Sequence, residues 1–208
     1  MLIKKFALGM VQANSYVIIN EDSPQCFIVD VPDSPKALID YIKKEALNVT
    51  AILLTHGHFD HALGVLDFIN EIKVPVFAHA LEAETLQDPK RNLSTAFCGQ
   101  TLSMVADRLL QDGETFTLAG FEIKAIHLPG HTPGGCCYYL AEENVVFTGD
   151  TLFQHSVGRS DFLGGDEGLL KSSIQKQLFT LPLAVSVYAG HGDVTTIGIE
   201  KSANPYLY

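Results

Sequence analysis

The sequence predicts an α/β protein in which two β-sheets pack together and helices cover their outer faces. Strand-like and helix-like segments follow one another in two similar rounds, with one long irregular stretch between them. The chain has 208 residues, of which 47% are hydrophobic, and this is enough to build one sizeable core. No low-complexity segment or domain linker divides the sequence, so we expect a single domain over residues 1–208.

Strands open the first round. Three β-rich segments, separated by Asn, Ser and Pro, lie at residues 2–10, 15–20 and 25–31. Ser34 is a suitable N-cap and Pro35 a suitable first helical residue, and together they predict a helix that runs through Lys43 and Lys44. Apolar patterning then predicts a fully buried strand, a helix, a short strand and another helix, at residues 51–55, 62–72, 74–78 and 80–87.

The second round follows a weakly patterned stretch. Residues 90–114 contain scattered polar residues and glycines, which predict a loop with some helix, and long loops in compact domains are often functional lids. The β pattern then returns in two longer segments, followed by an amphipathic helix and a last strand, at residues 115–128, 135–148, 169–178 and 185–189.

Composition argues against several classes of function. The net charge of −10, without any cluster of Lys and Arg, argues against a nucleic-acid partner. The apolar stretch at residues 6–11 is shorter than the core of a signal peptide, and no run approaches the ~18 apolar residues of a membrane helix. We therefore expect a cytoplasmic protein that does not bind membranes. Its four cysteines are expected to be reduced thiols that pack as small hydrophobic residues.

The strongest functional signal is the sequence THGHFDH at residues 55–61. It places three of the eight histidines and one aspartate directly after the predicted buried strand, and neutral imidazole is a common metal ligand. Three later apolar runs also end in a ligand-type residue, each preceded by Gly. If these strands are neighbours, one rim of the sheets collects His56, His58, Asp60, His61, His131, Asp150 and His191.

These seven nitrogen and oxygen donors are too many for one tetrahedral ion and suit two ions that share a carboxylate. Three or four protein ligands for each ion leave positions open for water, which is typical of catalytic rather than structural metal sites. The other three histidines, His79, His127 and His155, lack this context, and we expect them to pack, to support ligands or to face solvent.

The same motifs resemble the signatures of the metallo-β-lactamase superfamily over nearly the whole chain. THGHFDH matches the H-x-H-x-D-H signature, and PGHTPGG, FTGDTLF and GHGD match the later ligand motifs in the same order. The resemblance implies an αββα sandwich of two mixed β-sheets flanked by helices, with the site at one edge. It also implies a ligand assignment: His56, His58 and His131 for one ion, Asp60, His61 and His191 for the other, and Asp150 as the bridge.

Two further stretches, SVGRSDFLGGD and TTIGIEKSANPY, look like the short hydroxyacylglutathione hydrolase-like (glyoxalase II-like) branch. This branch implies hydrolysis of a small-molecule acyl thioester or ester, such as an S-acylglutathione. Two divalent ions, with zinc as the first choice and iron or manganese as alternatives, would supply hydroxide at neutral pH, which Asp60 orients for attack on the carbonyl. β-Lactam hydrolysis is not expected, because true β-lactamases lack the bridging Asp and the forms that confer resistance are exported.

Three alternatives fit the same motifs. A persulfide dioxygenase of this fold would bind one iron through His56, His131 and Asp150 and would use oxygen. A different hydrolase would cleave another ester, a lactone or a phosphodiester. A zinc-stabilised binding module would have a closed coordination shell. For contacts with substrate, the sequence offers Arg159 and Asn92 as candidates.

Overall fold

Two mixed six-stranded β-sheets form the centre of the computed structural model, which describes residues 1–207. The first sheet contains, in both chain and spatial order, β1 (Leu2–Leu8), β2 (Ala13–Ile19), β3 (Gln25–Val29), β4 (Asn48–Leu53), β5 (Val76–His79) and β6 (Arg108–Leu110). Strands β1 to β3 pair antiparallel, whereas β3 to β6 pair parallel.

The later strands form the second sheet and one small hairpin. They are β7 (Thr115–Leu118), β8 (Phe121–His127), β9 (Cys136–Leu140), β10 (Val145–Gly149), β11 (Leu152–Phe153), β12 (Ser156–Val157), β13 (Ser186–Ala189) and β14 (Thr195–Thr196). The second sheet has the order β14-β13-β10-β9-β8-β7, and β11 pairs with β12. In this sheet β10 and β13 are parallel and the other neighbours are antiparallel.

Helices lie between these strands along the chain. They are α1 (Lys36–Lys44), α2 (Phe59–Ala62), α3 (Val65–Glu71), α4 (Ala83–Gln87), α5 (Ser94–Phe97), α6 (Glu167–Lys176) and α7 (Ile197–Ala203). Short 3-10 turns at Ala80–Glu82 and Leu178–Thr180 precede α4 and follow α6. Among residues 1–207, no helix has the length and apolar character needed to cross a membrane.

Alternating side chains divide the inner strands between two cores. In β2, Tyr16 and Ile18 face the core between the sheets, whereas Val17 faces the core under the helices. Cys136 and Cys137 divide in the same way, which confirms that these adjacent thiols point to opposite faces of β9. All four cysteines are free thiols, as expected.

Helices cover the outer face of each sheet. Leu38 of α1 and Phe68 of α3 are fully buried against the first sheet. Leu170 and Ile174 of α6 are fully buried against the second. The layers are therefore helix, sheet, sheet and helix, which confirms the predicted αββα sandwich.

Two predicted helices differ from the structure. The helix expected over residues 62–72 is two short helices, α2 and α3, because the chain turns at Gly64. A Cβ at this position would overlap the carbonyl oxygen of Pro32, so the chain approaches too closely for a side chain. The predicted N-cap at Ser34 is also wrong: its backbone has φ +59°, and α1 begins one residue later than expected, with Pro35 in the cap position.

Several short elements were not expected, and β6 and α7 are two of them. Strand β6 lies within residues 90–114, where we predicted loop and some helix, and it pairs with β5 at the edge of the first sheet. Only Leu110 of its three residues is buried, so the segment lacks the apolar pattern of a central strand. Helix α7 has seven residues, and the Thr196 hydroxyl caps its N-terminus by accepting a hydrogen bond from the Ile199 N–H.

Replacing Gly64 with Ala tests the close approach to Pro32. We expect Gly64→Ala to lower the free energy of unfolding by about 3 kcal/mol, because backbone must move to relieve the overlap. The matched control is Gly168→Ala in α6, where an added Cβ meets only ordinary contacts. That variant should be neutral or up to ~1 kcal/mol more stable. Urea denaturation measures both, and equal stability of the two variants would contradict the packing argument.

Candidate metal centre

The candidate ligands lie at one edge of the sandwich because four strands end there. His56 follows β4 of the first sheet, whereas His131, Asp150 and His191 follow β8, β10 and β13 of the second. Strands β8, β10 and β13 run in the same direction, so their carboxyl ends lie at the same edge of the second sheet.

Hydrogen bonds across the core hold the two sheets together near this edge. The Cys136 N–H donates to the Thr55 carbonyl oxygen at 2.8 Å, and the Tyr138 hydroxyl donates to the Leu54 carbonyl oxygen at 2.7 Å. The Tyr16 hydroxyl donates to the carbonyl oxygen of Ala189 at 2.7 Å. Ligand-bearing segments from both sheets are thus fixed relative to one another.

Three buried histidines form the first cluster. The Nε2 atom of His131 lies 2.9 Å from Nδ1 of His58 and 3.2 Å from Nε2 of His56. Burial, together with the nearby His131, lowers the pKa of His58 to about 3, and burial also holds the pKa of His56 well below its usual value. Both imidazoles are therefore neutral at pH 7, which is the form that binds metal ions.

Two aspartates and two histidines form the second cluster. Oδ2 of Asp60 lies 3.3 Å from Nε2 of His191, and Oδ1 of Asp150 lies 3.1 Å from Nε2 of His61. Oδ2 of Asp150 is 3.7 Å from Nε2 of His191 and 3.8 Å from Nε2 of His131. Asp150 thus lies between the two clusters, and all seven predicted ligands come together.

In three of the histidines, the hydrogen-bond partner of Nδ1 shows that Nε2 is the nitrogen that faces the other candidate ligands. The Nδ1 atom of His61 lies 2.8 Å from Oδ2 of Asp30, and Nδ1 of His131 lies 2.6 Å from the carbonyl oxygen of Arg159. Both partners can only accept, so these Nδ1 atoms carry the proton. The Thr55 hydroxyl donates to Asp30 at 2.7 Å and thus accepts from Nδ1 of His56 at 3.1 Å. In the neutral form that binds metal ions, the Nε2 atoms of all three rings are then lone pairs.

These lone pairs can bind cations, but they cannot form hydrogen bonds with one another. Nε2 of His56 and Nε2 of His131 are 3.2 Å apart, and two lone pairs cannot share a hydrogen bond. Nε2 of His61 and Oδ1 of Asp150 are buried and, within the described chain, have no hydrogen-bond partner although they are neighbours. Unpaired buried polar atoms are costly unless an ion satisfies them. The donor set fits a dinuclear metal centre.

Two buried carboxylates that the sequence reasoning missed support the ligands. Asp30 accepts from the Thr55 backbone N–H at 2.8 Å as well as from the Thr55 hydroxyl and His61. It directly follows β3, so the signal that identified the ligands, a polar residue after an apolar run, also applied to it. Such partners orient metal-binding histidines and fix their tautomers.

Glu82 is the second buried carboxylate. Its oxygens accept from the backbone N–H groups of Gly57 at 2.9 Å and Gly134 at 2.8 Å, and from the Thr132 hydroxyl at 3.0 Å. Burial raises the pKa of Glu82 to about 7, although the hydrogen bond from Gly57 opposes this rise. Glu82 therefore joins the loop of His56 and His58 to the loop of His131. No local pattern in the sequence marks it.

A cavity of about 480 Å³ opens onto the ligands and is lined in part by Arg159. The Arg159 guanidinium forms a two-point ion pair with Asp161, at 2.9 and 2.8 Å. Asn92 is fully buried behind the cavity: its side chain donates to the Leu102 carbonyl oxygen at 2.9 Å and accepts from the Ser94 N–H at 3.1 Å. The structure thus gives Asn92 a role in shaping the loop and places Arg159 at the cavity wall.

The other three histidines lie outside both clusters. His79 and His127 stack on each other, with ring centroids 4.2 Å apart, and Nε2 of His127 lies 2.8 Å from the Pro133 carbonyl oxygen. His155 lies in the turn between β11 and β12, where its backbone N–H donates to Glu200. These placements agree with packing, supporting and solvent roles.

Comparisons with known proteins agree with this geometry. Residues 8–191 match the family model described as the metallo-beta-lactamase superfamily. The chain is 37% identical over 206 residues to the probable metallo-hydrolase YqgX of Bacillus subtilis, covering 98% of this chain and 96% of that one. It is 36% identical over 192 residues to the hydroxyacylglutathione hydrolase GloC of Haemophilus influenzae, covering 91% of each chain.

Comparison with solved structures also finds proteins of the same fold. The B3 metallo-beta-lactamase BLEG-1 superposes with a TM-score of 0.94 at 41% identity, and the match covers 99% of both chains. A di-iron form of TTHA1623 superposes with a TM-score of 0.86 at 34% identity, covering 98% of this chain and 100% of that one. With the fold, the converging donors and these relatives all in agreement, this chain belongs to the metallo-β-lactamase superfamily and is a metal-dependent hydrolase.

Proposed function

We propose that the chain hydrolyses acyl thioesters with the help of two divalent metal ions. The observation that carries the two-ion proposal is the pair of adjacent donor clusters with Asp150 between them. His56, His58 and His131 would hold one ion, Asp60, His61 and His191 would hold the other, and Asp150 would bridge them. Zinc is the first ion to test because it prefers imidazole-rich sites with few ligands, and iron and manganese suit the same donors.

Asp60 would orient the water that attacks the substrate at the two ions. Such ions, when bound, lower the pKa of a shared water and polarise the substrate carbonyl. Asp60 lines the cavity and would accept a hydrogen bond from the attacking water, which aligns the water oxygen with the carbonyl carbon. The carbon–oxygen bond forms, the carbon–sulfur bond breaks, and the products are a carboxylic acid and a thiol.

The cavity favours a thioester over other acyl compounds. Apart from five of the candidate ligands, its polar lining residues are Ser156 and Arg159, and neither donates a proton readily at neutral pH. An alkoxide or amine leaving group needs such a proton, whereas a thiolate with a pKa of about 8.5 leaves without one. The similarity to GloC makes S-acylglutathiones the first thioesters to test, and the similarity to BLEG-1 makes a β-lactam a necessary comparison.

A specific observation also supports a second candidate, the mononuclear iron persulfide dioxygenase. Its three ligands would be His56, His131 and Asp150. Their donor atoms lie close together, since Nε2 of His131 is 3.2 Å from Nε2 of His56 and 3.8 Å from Oδ2 of Asp150. This arrangement of two histidines and one carboxylate suits non-haem iron. It would leave Asp60, His61 and His191 without a metal, although their donor atoms converge as closely.

Metal content separates the two candidates. Protein purified without oxygen should contain two divalent ions per chain by elemental analysis and should hydrolyse S-lactoylglutathione. It should consume no oxygen when given glutathione persulfide. One iron per chain, with oxygen uptake and no hydrolysis, would identify the dioxygenase instead. Hydrolysis of a β-lactam but of no thioester would refute the substrate class while leaving the metal centre intact.

Replacing His191 tests the second ion. We expect His191→Ala to bind one ion per chain instead of two and to lose nearly all hydrolysis, because the second cluster keeps only one of its two imidazoles. His155→Ala is the matched control, since His155 lies outside both clusters and should retain two ions and full activity. Unchanged metal content and activity in His191→Ala would contradict the two-ion assignment.

Replacing Glu82 tests how the first ion is held. The amide of Gln has one oxygen and one NH2 group, so in Glu82→Gln the NH2 group must face the N–H group of Gly57 or of Gly134. Two donors cannot form a hydrogen bond, so the loop of His56 and His58 should separate from the loop of His131. We expect the affinity for the ion at His56, His58 and His131 to fall by about 10–100-fold, measured by competition with a chromophoric chelator. Glu84→Gln, at an exposed residue of α4, is the control and should bind as the wild type does. Equal affinities would show that Glu82 does not position the ligands.

A further inference from the structure

We propose that the cavity selects uncharged thioesters with an apolar acyl or thiol group over S-acylglutathiones and other thioesters that carry carboxylates. This inference rests on the proposed thioesterase function and names the substrate class of the same site. It is drawn from the apolar wall of the cavity and from the pairing of the basic residues beside it.

The wall of the cavity beyond the ligands is mainly apolar. It includes Val11, Leu93, Phe97, Phe153, Val157 and Phe162. Burying such side chains against an apolar group stabilises the complex by roughly 25 cal/mol per Å² of apolar surface removed from water. A charged group placed against the same wall would lose its hydration without gaining a partner.

Aromatic rings extend this wall from the metal ligands to the mouth of the cavity. Phe162 packs edge to face with His58, with ring centroids 5.9 Å apart, and with Phe97 at 5.8 Å. Phe97 in turn stacks on Phe59 at 5.9 Å with nearly parallel rings. Phe97 is 51% exposed, so much of its surface is free to contact a ligand. The edges and faces of these rings suit an aromatic or branched aliphatic group.

The basic residue in the cavity wall is already paired. Nε and Nη2 of Arg159 both donate to Asp161, and the guanidinium lies over the ring of Phe162, with Cζ 4.1 Å from the ring centroid. This bidentate geometry is the one with which Arg would bind a substrate carboxylate. An incoming carboxylate would therefore compete with Asp161 and be repelled by its charge.

A second basic residue near the centre is occupied in a similar way. Nζ of Lys5 donates to the carbonyl oxygen of Gly192, the residue after His191, at 2.9 Å, and lies 3.9 Å from Oδ1 of Asp193. The residues of the chain together carry a net charge of −10, which two bound divalent ions would offset only in part and which also disfavours the approach of anions. The two carboxylates of a glutathione group thus have no free cationic partner at Arg159 or Lys5.

Two thioesters with the same acyl group test the proposal. One is the phenylacetyl thioester of N-acetylcysteamine, which is uncharged, and the other is S-phenylacetylglutathione, which carries carboxylates. With metal-loaded protein at low ionic strength, we expect kcat/KM for the uncharged thioester to be at least about tenfold higher. The ratio should fall as salt is added, because salt screens the repulsion. An equal or higher kcat/KM for the glutathione thioester would overturn the proposal.

Asp161→Asn tests the origin of the preference. Freeing Arg159 should lower KM for the glutathione thioester by about five- to tenfold and leave KM for the uncharged thioester unchanged. Asp40→Asn is the matched control, because it also removes one exposed negative charge but lies on α1, outside the cavity lining. The same shift in both variants, or in neither, would contradict the role of the Arg159–Asp161 pair.

Failure of this inference differs from failure of the proposed function. If metal-loaded protein with two ions hydrolyses neither thioester, the thioesterase proposal is wrong and the substrate class falls with it. If it hydrolyses both but prefers the glutathione thioester, only the substrate class is wrong. Phe97→Ala adds a separate measurement: KM for the phenylacetyl thioester of N-acetylcysteamine should rise at least threefold more than KM for the acetyl thioester. Equal changes would contradict the role of the aromatic wall.

Discussion

The candidate metal centre depends on one hydrogen-bond network around the carboxylate of Asp30. This carboxylate accepts from the backbone and hydroxyl of Thr55 and from Nδ1 of His61, and the Thr55 hydroxyl in turn accepts from Nδ1 of His56. The network fixes the tautomers of both histidines, so their Nε2 lone pairs face the centre. Asp30 itself has φ +57°, a left-handed conformation that Asp tolerates better than most residues. A single buried residue thus determines the tautomer of one candidate ligand in each cluster.

Thr55 also connects this network to the second sheet. Its carbonyl oxygen accepts from the Cys136 N–H, and its side chain lies where a Cβ at Gly149 would be. Gly149 must therefore remain without a side chain for Asp150 to approach the histidines of the first sheet. Glu82 acts on the other side of the same loop, where it joins Gly57 to the loop of His131. Two buried carboxylates, one on each side of the ligand loop, thus position donors that come from both sheets.

Local patterns predicted much of the fold and which candidate ligands converge, whereas contacts between distant residues could not be predicted. Each ligand motif follows an apolar run, so its position could be identified without knowing which strands are neighbours. Asp30 follows the same rule but was included in a predicted strand over residues 25–31, and β3 ends at Val29. Glu82 lies in a segment predicted only as a helix, and its partner Gly134 is 52 residues away. Strand β6 forms by pairing with β5 at the edge of the first sheet, and the three residues of β6 do not indicate this pairing.

The same geometry couples metal binding to the stability of the fold. His56, His58 and His131 place ring nitrogens 2.9–3.2 Å apart in a buried site, where unpaired lone pairs and the carboxylate of Asp150 oppose folding unless cations lie among them. Ions that bind only the folded chain stabilise it in proportion to their affinity and concentration. The rest of the sandwich therefore offsets the cost of assembling the donors, through the apolar cores between the sheets and under the helices on each side, and through the hydrogen bonds between the sheets. A rigid framework of this kind allows candidate ligands from four separate strand ends to stay close together.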